Sequence, residues 1–127
     1  GQCDQIFINT SGIGECIDEA ENIVKGQNIK AGDKLILNGT IGDHGMAVMS
    51  ERNQLNIKAT IASDCACLNG LTALALQTGG IRFMRDATRG GLGTVLAELA
   101  AKRNFGIDLD ETKIPVRENV RGMCELL

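Results

Sequence analysis

The sequence predicts a mixed α/β (α+β) fold, a central sheet with flanking helices, and three observations lead there. Short apolar runs of strand character alternate with stretches of helical periodicity. One stretch, Gly91–Arg103, carries Leu92, Val95, Leu96, Leu99 and Ala100 as a single stripe. Two glycine-rich segments, GTIGDHG (Gly39–Gly45) and DATRGGLG (Asp86–Gly93), each separate an apolar run from a helix.

The elements follow in order. Gln5–Thr10 alternates as a strand and stops at Ser11-Gly12; Glu15–Gly32, low in apolar residues, reads as a polar connection. Lys34–Gly39 (KLILNG) is a more continuously apolar run, the pattern of a more buried strand. After Gly39–Gly45 comes a short helix with Met46 and Met49 on one face, and Thr60–Asp64 is extended or loop. Asp64 is placed to cap a helix over Cys65–Thr78, whose Leu68, Leu71, Leu74 and Ala75 recur at three-and-four spacing before Gly79-Gly80 stops it. Ile81–Arg85 is a short strand. In the Gly91–Arg103 helix, Glu98 and Lys102 form an outer i,i+4 pair. A strand Ile107–Asp110 follows, then Pro115 opens a last helix with Val116, Val120, Met123 and Leu127 on one face. That helix reaches the end of the chain without a stop signal, its apolar face expecting no later strand. Both ends look cut from something longer.

Composition narrows the function classes. A chain of 127 residues suits one domain that buries about two thirds of its unfolded surface. With no Trp or Tyr and three Phe, it lacks the stacking platforms of single-stranded nucleic-acid binders. A net charge of −3, well mixed, offers neither a phosphate-tracking stripe nor a polybasic membrane anchor, and no apolar run approaches a membrane span. Nucleic acid and membrane are therefore not expected partners. Five scattered cysteines (Cys3, Cys16, Cys65, Cys67, Cys124) fit a reduced, cytoplasmic chain, and the C-x-C of Cys65 and Cys67 with a lone distant histidine, His44, predicts no metal site.

The glycine-rich segments carry the chemistry. A helix start exposes unpaired N–H groups and the positive ends of peptide dipoles, favouring an anion by a few tenths to about 2 kcal/mol. Glycine permits positive φ and close approach. Asp43 and Asp86 can cap their helices or hold a magnesium-bound water, and Arg85 and Arg89 can fork onto a phosphate or carboxylate. Plainer readings stand beside these: glycines that only make the turn, Arg85 on a solvated strand face, Asp86 and Thr88 as helix caps, and His44 satisfied by a backbone carbonyl, no Ser or Cys nucleophile lying at a recognisable offset. Neither a Walker loop nor G-x-G-x-x-G is present.

At these residues the sequence resembles a known family. INTSGIGE (Ile8–Glu15), AGDKLILNGTIGDHGMAVMSER (Ala31–Arg52), MRDATRGGL (Met84–Leu92) and IPVRENVRGMCELL (Ile114–Leu127) are similar, in order and spacing, to HypE hydrogenase maturation proteins of the PurM-like, aminoimidazole ribonucleotide synthetase-related superfamily. The resemblance implies a PurM C-terminal domain-like sheet-and-helix unit over residues 29–127, preceded in residues 1–28 by a remnant strand of the N-terminal domain and a linker. It implies ATP- and Mg2+-dependent dehydration of an S-carboxamide on the family's C-terminal cysteine, giving a thiocyanate for the cyanide ligands of nickel-iron hydrogenase. It further implies a homodimer that works with HypF and the HypC-HypD complex.

The family's N-terminal nucleotide segment, its lysine-bearing stretch, its NEGK-like segment and its tail with the acceptor cysteine have no counterpart here, and Cys124 does not replace that cysteine. No catalytic residue is therefore assigned, and the chain alone is expected to be inactive, without a tightly bound cofactor. What carries over are candidates for the nucleotide or carboxamide cleft: Asp43, His44 and Gly45 in the first loop, with Asp86, Thr88, Arg89, Gly90 and Gly91 in the second, the two loops opening on a shared rim. Two alternatives remain, a non-catalytic docking or scaffold module and another PurM-like ATP-dependent enzyme.

Overall fold

The structure, a computed structural model, describes residues 6, 8–16, 18–52 and 61–126. Among them are five α-helices, α1 (Asp18–Lys25), α2 (Asp43–Arg52), α3 (Asn69–Thr78), α4 (Gly91–Ala101) and α5 (Glu118–Leu126), with a 3-10 turn at Glu111–Lys113.

Helix α1 lies where a polar connection was expected. Glu21 and Lys25 form an i,i+4 ion pair on its exposed side. Its end is a Schellman motif: Gly26 takes φ +62°, its N–H donates to Ile23 O at 3.2 Å, and Gln27 N–H donates to Asn22 O at 3.1 Å. A Cβ on Gly26 would lie 2.9–3.3 Å from Ile29, Phe83 and Leu99, so only glycine lets this corner close on α4. Arg103 Nη2 completes the junction by donating to Lys25 O at 2.6 Å.

Helix α4 matches its expectation, and Val95, Leu96 and Leu99 of its stripe are buried. Helix α5 starts at Glu118, three residues beyond Pro115, and Val120 and Met123 of its expected apolar face are buried, while Leu127 lies outside the described residues. Val120 and Met123 pack with Ile61, and Met46, Ala47 and Val116 close around them. No following strand covers this face among the described residues, as expected, but the earlier helix α2 does. Met49, expected beside Met46 on that face, is exposed.

Helix α3 begins at Asn69, four residues after the expected Cys65, and Asp64 does not cap it; Leu68 precedes it without a side-chain cap. Leu68, Leu71 and Leu74 stay largely exposed. The runs expected as strands over Lys34–Gly39, Ile81–Arg85 and Ile107–Asp110 are non-helical, and no strand is assigned among the described residues. Strand structure requires a second backbone to pair each N–H and C=O. Ile36, in the run expected to be most buried, is 86% exposed. The expected first strand, Gln5–Thr10, lies partly outside the described residues.

Candidate functional site

The first glycine-rich loop is fastened from below. Ile41 N–H donates to Pro115 O at 2.9 Å, and Gly42, at φ +88°, turns the chain so that its carbonyl accepts the first helical hydrogen bond from Met46 N–H at 3.1 Å. The Val120 side chain lies 3.1 Å from where a Cβ on Gly42 would stand. Asp43 then points inward. It is 0% exposed; Oδ2 accepts from Thr40 Oγ1 at 2.6 Å, and Oδ1 lies 3.3 Å from Arg117 Nε. The second contact lacks hydrogen-bond alignment, so Oδ1 is held by charge alone. Asp43 thus joins α2 to the approach to α5 and is turned away from any solvent-side ligand.

His44, one residue on, is exposed and faces a different segment. Its Nδ1 lies 3.0 Å from Ser63 Oγ and 3.6 Å from Cys65 Sγ. The backbone carbonyl expected to satisfy this histidine is replaced by a hydroxyl and a thiol, brought close across some twenty residues of sequence. The same Ser63 Oγ accepts from Cys65 N–H at 3.2 Å, which shapes the loop that presents the thiol. The Asp64 carboxylate joins them, and donor atoms of His44, Asp64 and Cys65 lie within 4.8 Å of one another. Gly45 is exposed, with open space around it.

The second loop is built differently. Arg85 Nη1 donates to Glu98 Oε2 at 2.7 Å, and this hydrogen bond, with the guanidinium charge, holds the Glu98 carboxyl below its ordinary pKa. Arg85 is therefore engaged by α4 and does not form a fork with Arg89; Glu98 in turn takes Arg85 as its hydrogen-bonded partner in place of the expected Lys102. Asp86, Thr88 and Arg89 are exposed and make no side-chain hydrogen bond or ion pair among the described residues. Neither Asp86 nor Thr88 caps α4, whose N-terminus is Gly90 at φ +75° with no side-chain acceptor. Gly91 also has positive φ, +68°.

The helices that follow the two loops do not meet. Helix α2 packs on α5, and no contact between α2 and α4 occurs among the described residues. A shared rim is accordingly not formed by these helices alone. A cavity lined by Ile23, Asn28, Leu76 and Gly80 contains no residue of either loop.

Residues 30–125 match the family model described as AIR synthase related protein, C-terminal domain. The chain belongs to this family. Its AIR synthase related C-terminal domain includes both loops and α2 to α5. Over its full length the chain is 44% identical across 128 residues to carbamoyl dehydratase HypE of Escherichia coli and 43% identical across 129 residues to that of Bradyrhizobium diazoefficiens. It spans 37% of the length of each. The crystal structure of E. coli HypE, a hydrogenase maturation protein, superposes with a TM-score of 0.73 at 43% identity, covering 80% of this chain and 31% of that one. A chain of a crystal structure of a HypE-HypF complex gives 0.64 at 47% identity, covering 69% of this chain and 29% of that one. The PurM-type C-terminal fold is thereby shown. No helix among the described residues is long and apolar enough to cross a membrane.

Proposed function

We propose that this chain forms the C-terminal domain of an ATP-dependent carbamoyl dehydratase of hydrogenase maturation. The observation that carries the reading is the 44% identity, running the whole length of the chain, to E. coli carbamoyl dehydratase HypE. In this reading residues 1–28 close the preceding domain and residues 29–127 form the unit with its central sheet; the family match beginning at residue 30 supports that division.

Dehydrating an S-carboxamide to a thiocyanate breaks the C–O bond and removes both N–H protons, and ATP makes the oxygen a leaving group as phosphate. The second loop has the chemistry to receive that phosphate. The start of α4 offers backbone N–H groups with no side-chain acceptor, and Arg89 is exposed beside them with no partner among the described residues. Asp86, likewise exposed and unengaged there, would hold a magnesium-bound water, the ion neutralising phosphate charge. Thr88, His44 and the open surface at Gly45 face the carboxamide end, while Asp43 keeps the first loop in place from within the fold.

A homodimer, transfer from HypF and delivery to HypC-HypD belong to the same reading, as does a cytoplasmic location, which the thiols of Cys65, Cys67 and Cys124, in no disulfide, support. Isothermal titration of ATP into the intact protein tests the loop. Arg89→Ala should weaken ATP binding, and unchanged affinity with unchanged turnover would remove Arg89 from the site.

A second reading, a docking module, is favoured by exposed Leu68, Leu71 and Leu74 and by the likeness to HypE in its complex with HypF. Capture of HypF by a protein whose ATP-dependent dehydration is abolished would separate docking from catalysis.

A further inference from the structure

We infer that His44, Asp64 and Cys65 form a binding site for a divalent transition-metal ion, with zinc the best fit. Three donor types converge here from two segments distant in sequence: an imidazole nitrogen, a carboxylate oxygen and a thiol sulfur, all within 4.8 Å of one another. That set of imidazole, carboxylate and thiolate is the one zinc takes, whereas magnesium and calcium select oxygen alone.

The spacing of the imidazole and the thiol agrees with the chemistry. Zinc holds nitrogen at about 2.0–2.1 Å and sulfur at about 2.3 Å, so at a tetrahedral angle those two atoms stand about 3.6 Å apart. His44 Nδ1 and Cys65 Sγ are 3.6 Å apart. That separation is longer than a strong hydrogen bond and suits two ligands of one ion. Asp64 supplies the third ligand from the position between Ser63 and Cys65 in sequence.

Two surroundings hold the ligands ready. His44 sits in the first turn of α2, directly after Asp43, whose buried carboxylate pins that turn to Arg117 and Thr40. Ser63 Oγ accepts from Cys65 N–H and reaches the same imidazole nitrogen, so it orders the loop before an ion arrives and would be displaced from that nitrogen when one does. Three protein ligands leave one tetrahedral position open, the arrangement of reactive rather than purely structural zinc sites. All three side chains are exposed, so the ion can enter from solvent. This site stands on its own geometry and does not depend on the proposed dehydratase activity.

The test uses the intact protein titrated with Co2+ as a spectroscopic probe and Zn2+ as competitor. The expected result is a thiolate-to-cobalt charge-transfer band that zinc abolishes at one ion per site, lost in Cys65→Ser and retained in Cys124→Ser. His44→Ala and Asp64→Asn should each weaken zinc binding by about 100-fold or more, since even outer-shell partners cost 10–100-fold. Circular dichroism of each variant excludes unfolding, and replacing exposed side chains should leave the spectrum unchanged. Equal binding by wild type and all three ligand variants would mark adventitious surface binding and overturn the site. So would a band that survives Cys65→Ser and disappears in Cys67→Ser.

Discussion

Asp43 Oδ1 lies 3.3 Å from Arg117 Nε, an ion pair in which the carboxylate is fully enclosed and the arginine side chain 52% exposed. It joins the first turn of α2 to the segment leading into α5, beside the Ile41–Pro115 backbone hydrogen bond. Removing the carboxylate leaves the Thr40 hydroxyl without its acceptor. Asp43→Ala should therefore destabilise the fold by about 1–3 kcal/mol. Arg117→Ala should cost at least as much, because it leaves the enclosed Asp43 carboxylate without its countercharge. Urea denaturation of both variants and the double variant measures this, and equal small losses would show that the pair is incidental.

The α2–α5 contact is also the centre of an apolar cluster with Ile61. Met123→Ala should cost about 2–5 kcal/mol, the range for truncating a buried side chain and leaving a cavity. Leu74→Ala on exposed α3 should stay within about 0.5 kcal/mol in the isolated chain. A comparable loss at Leu74 would mean that α3 is covered by something in solution.

The glycines separate by what surrounds them. At Gly90 an added Cβ would sit 2.5 Å from Thr94 Oγ1 on a backbone at φ +75°, so Gly90→Ala should destabilise by more than about 1 kcal/mol. Gly45, inside α2 with open space around it, should tolerate alanine and gain about 0.5–1 kcal/mol of helix stability. If Gly45 faces the carboxamide as proposed, that stabler variant should nevertheless turn over more slowly. Thermal melts and turnover on the same preparations decide between a structural and a functional glycine.

Arg85 sets the pH behaviour of Glu98. Its hydrogen bond, and secondarily its charge, lowers the Glu98 pKa. A carboxylate lowered in this way stabilises the fold above its unfolded pKa of about 4.3, and the contribution is lost as pH falls through the lower folded value. Carbon-detected NMR titration should show the Glu98 midpoint rising toward the ordinary value in Arg85→Ala. An unmoved midpoint would dissolve the pair.

What the sequence made legible was decided by whether partners were near. The α4 stripe depends on i,i+3 and i,i+4 spacing and appears buried as read, whereas the Val120–Met123 face, legible as apolar but read without a partner, is buried against α2. Helix α1 was hidden because its stability comes from Glu21–Lys25 pairing and a glycine stop rather than from apolar density. The late start of α3 follows from Ser63 and Cys65 being engaged in the loop around His44, which draws Asp64 away from a capping position. That cluster joins residues some twenty positions apart, a distance no local periodicity reports. The loop glycines were legible as turns; the inward rotation of Asp43 was not, because it depends on Arg117 arriving from the far end of the chain.

The most direct measurement is the intact mass of the whole protein, loaded with a carbamoyl group on the acceptor cysteine that the proposed function requires and incubated with ATP and Mg2+. Carbamoyl dehydratase activity predicts a loss of mass equal to one water per loaded chain, matched by one phosphate released and absent without ATP. A folded, fully loaded protein that binds ATP yet keeps its mass unchanged would contradict the assignment.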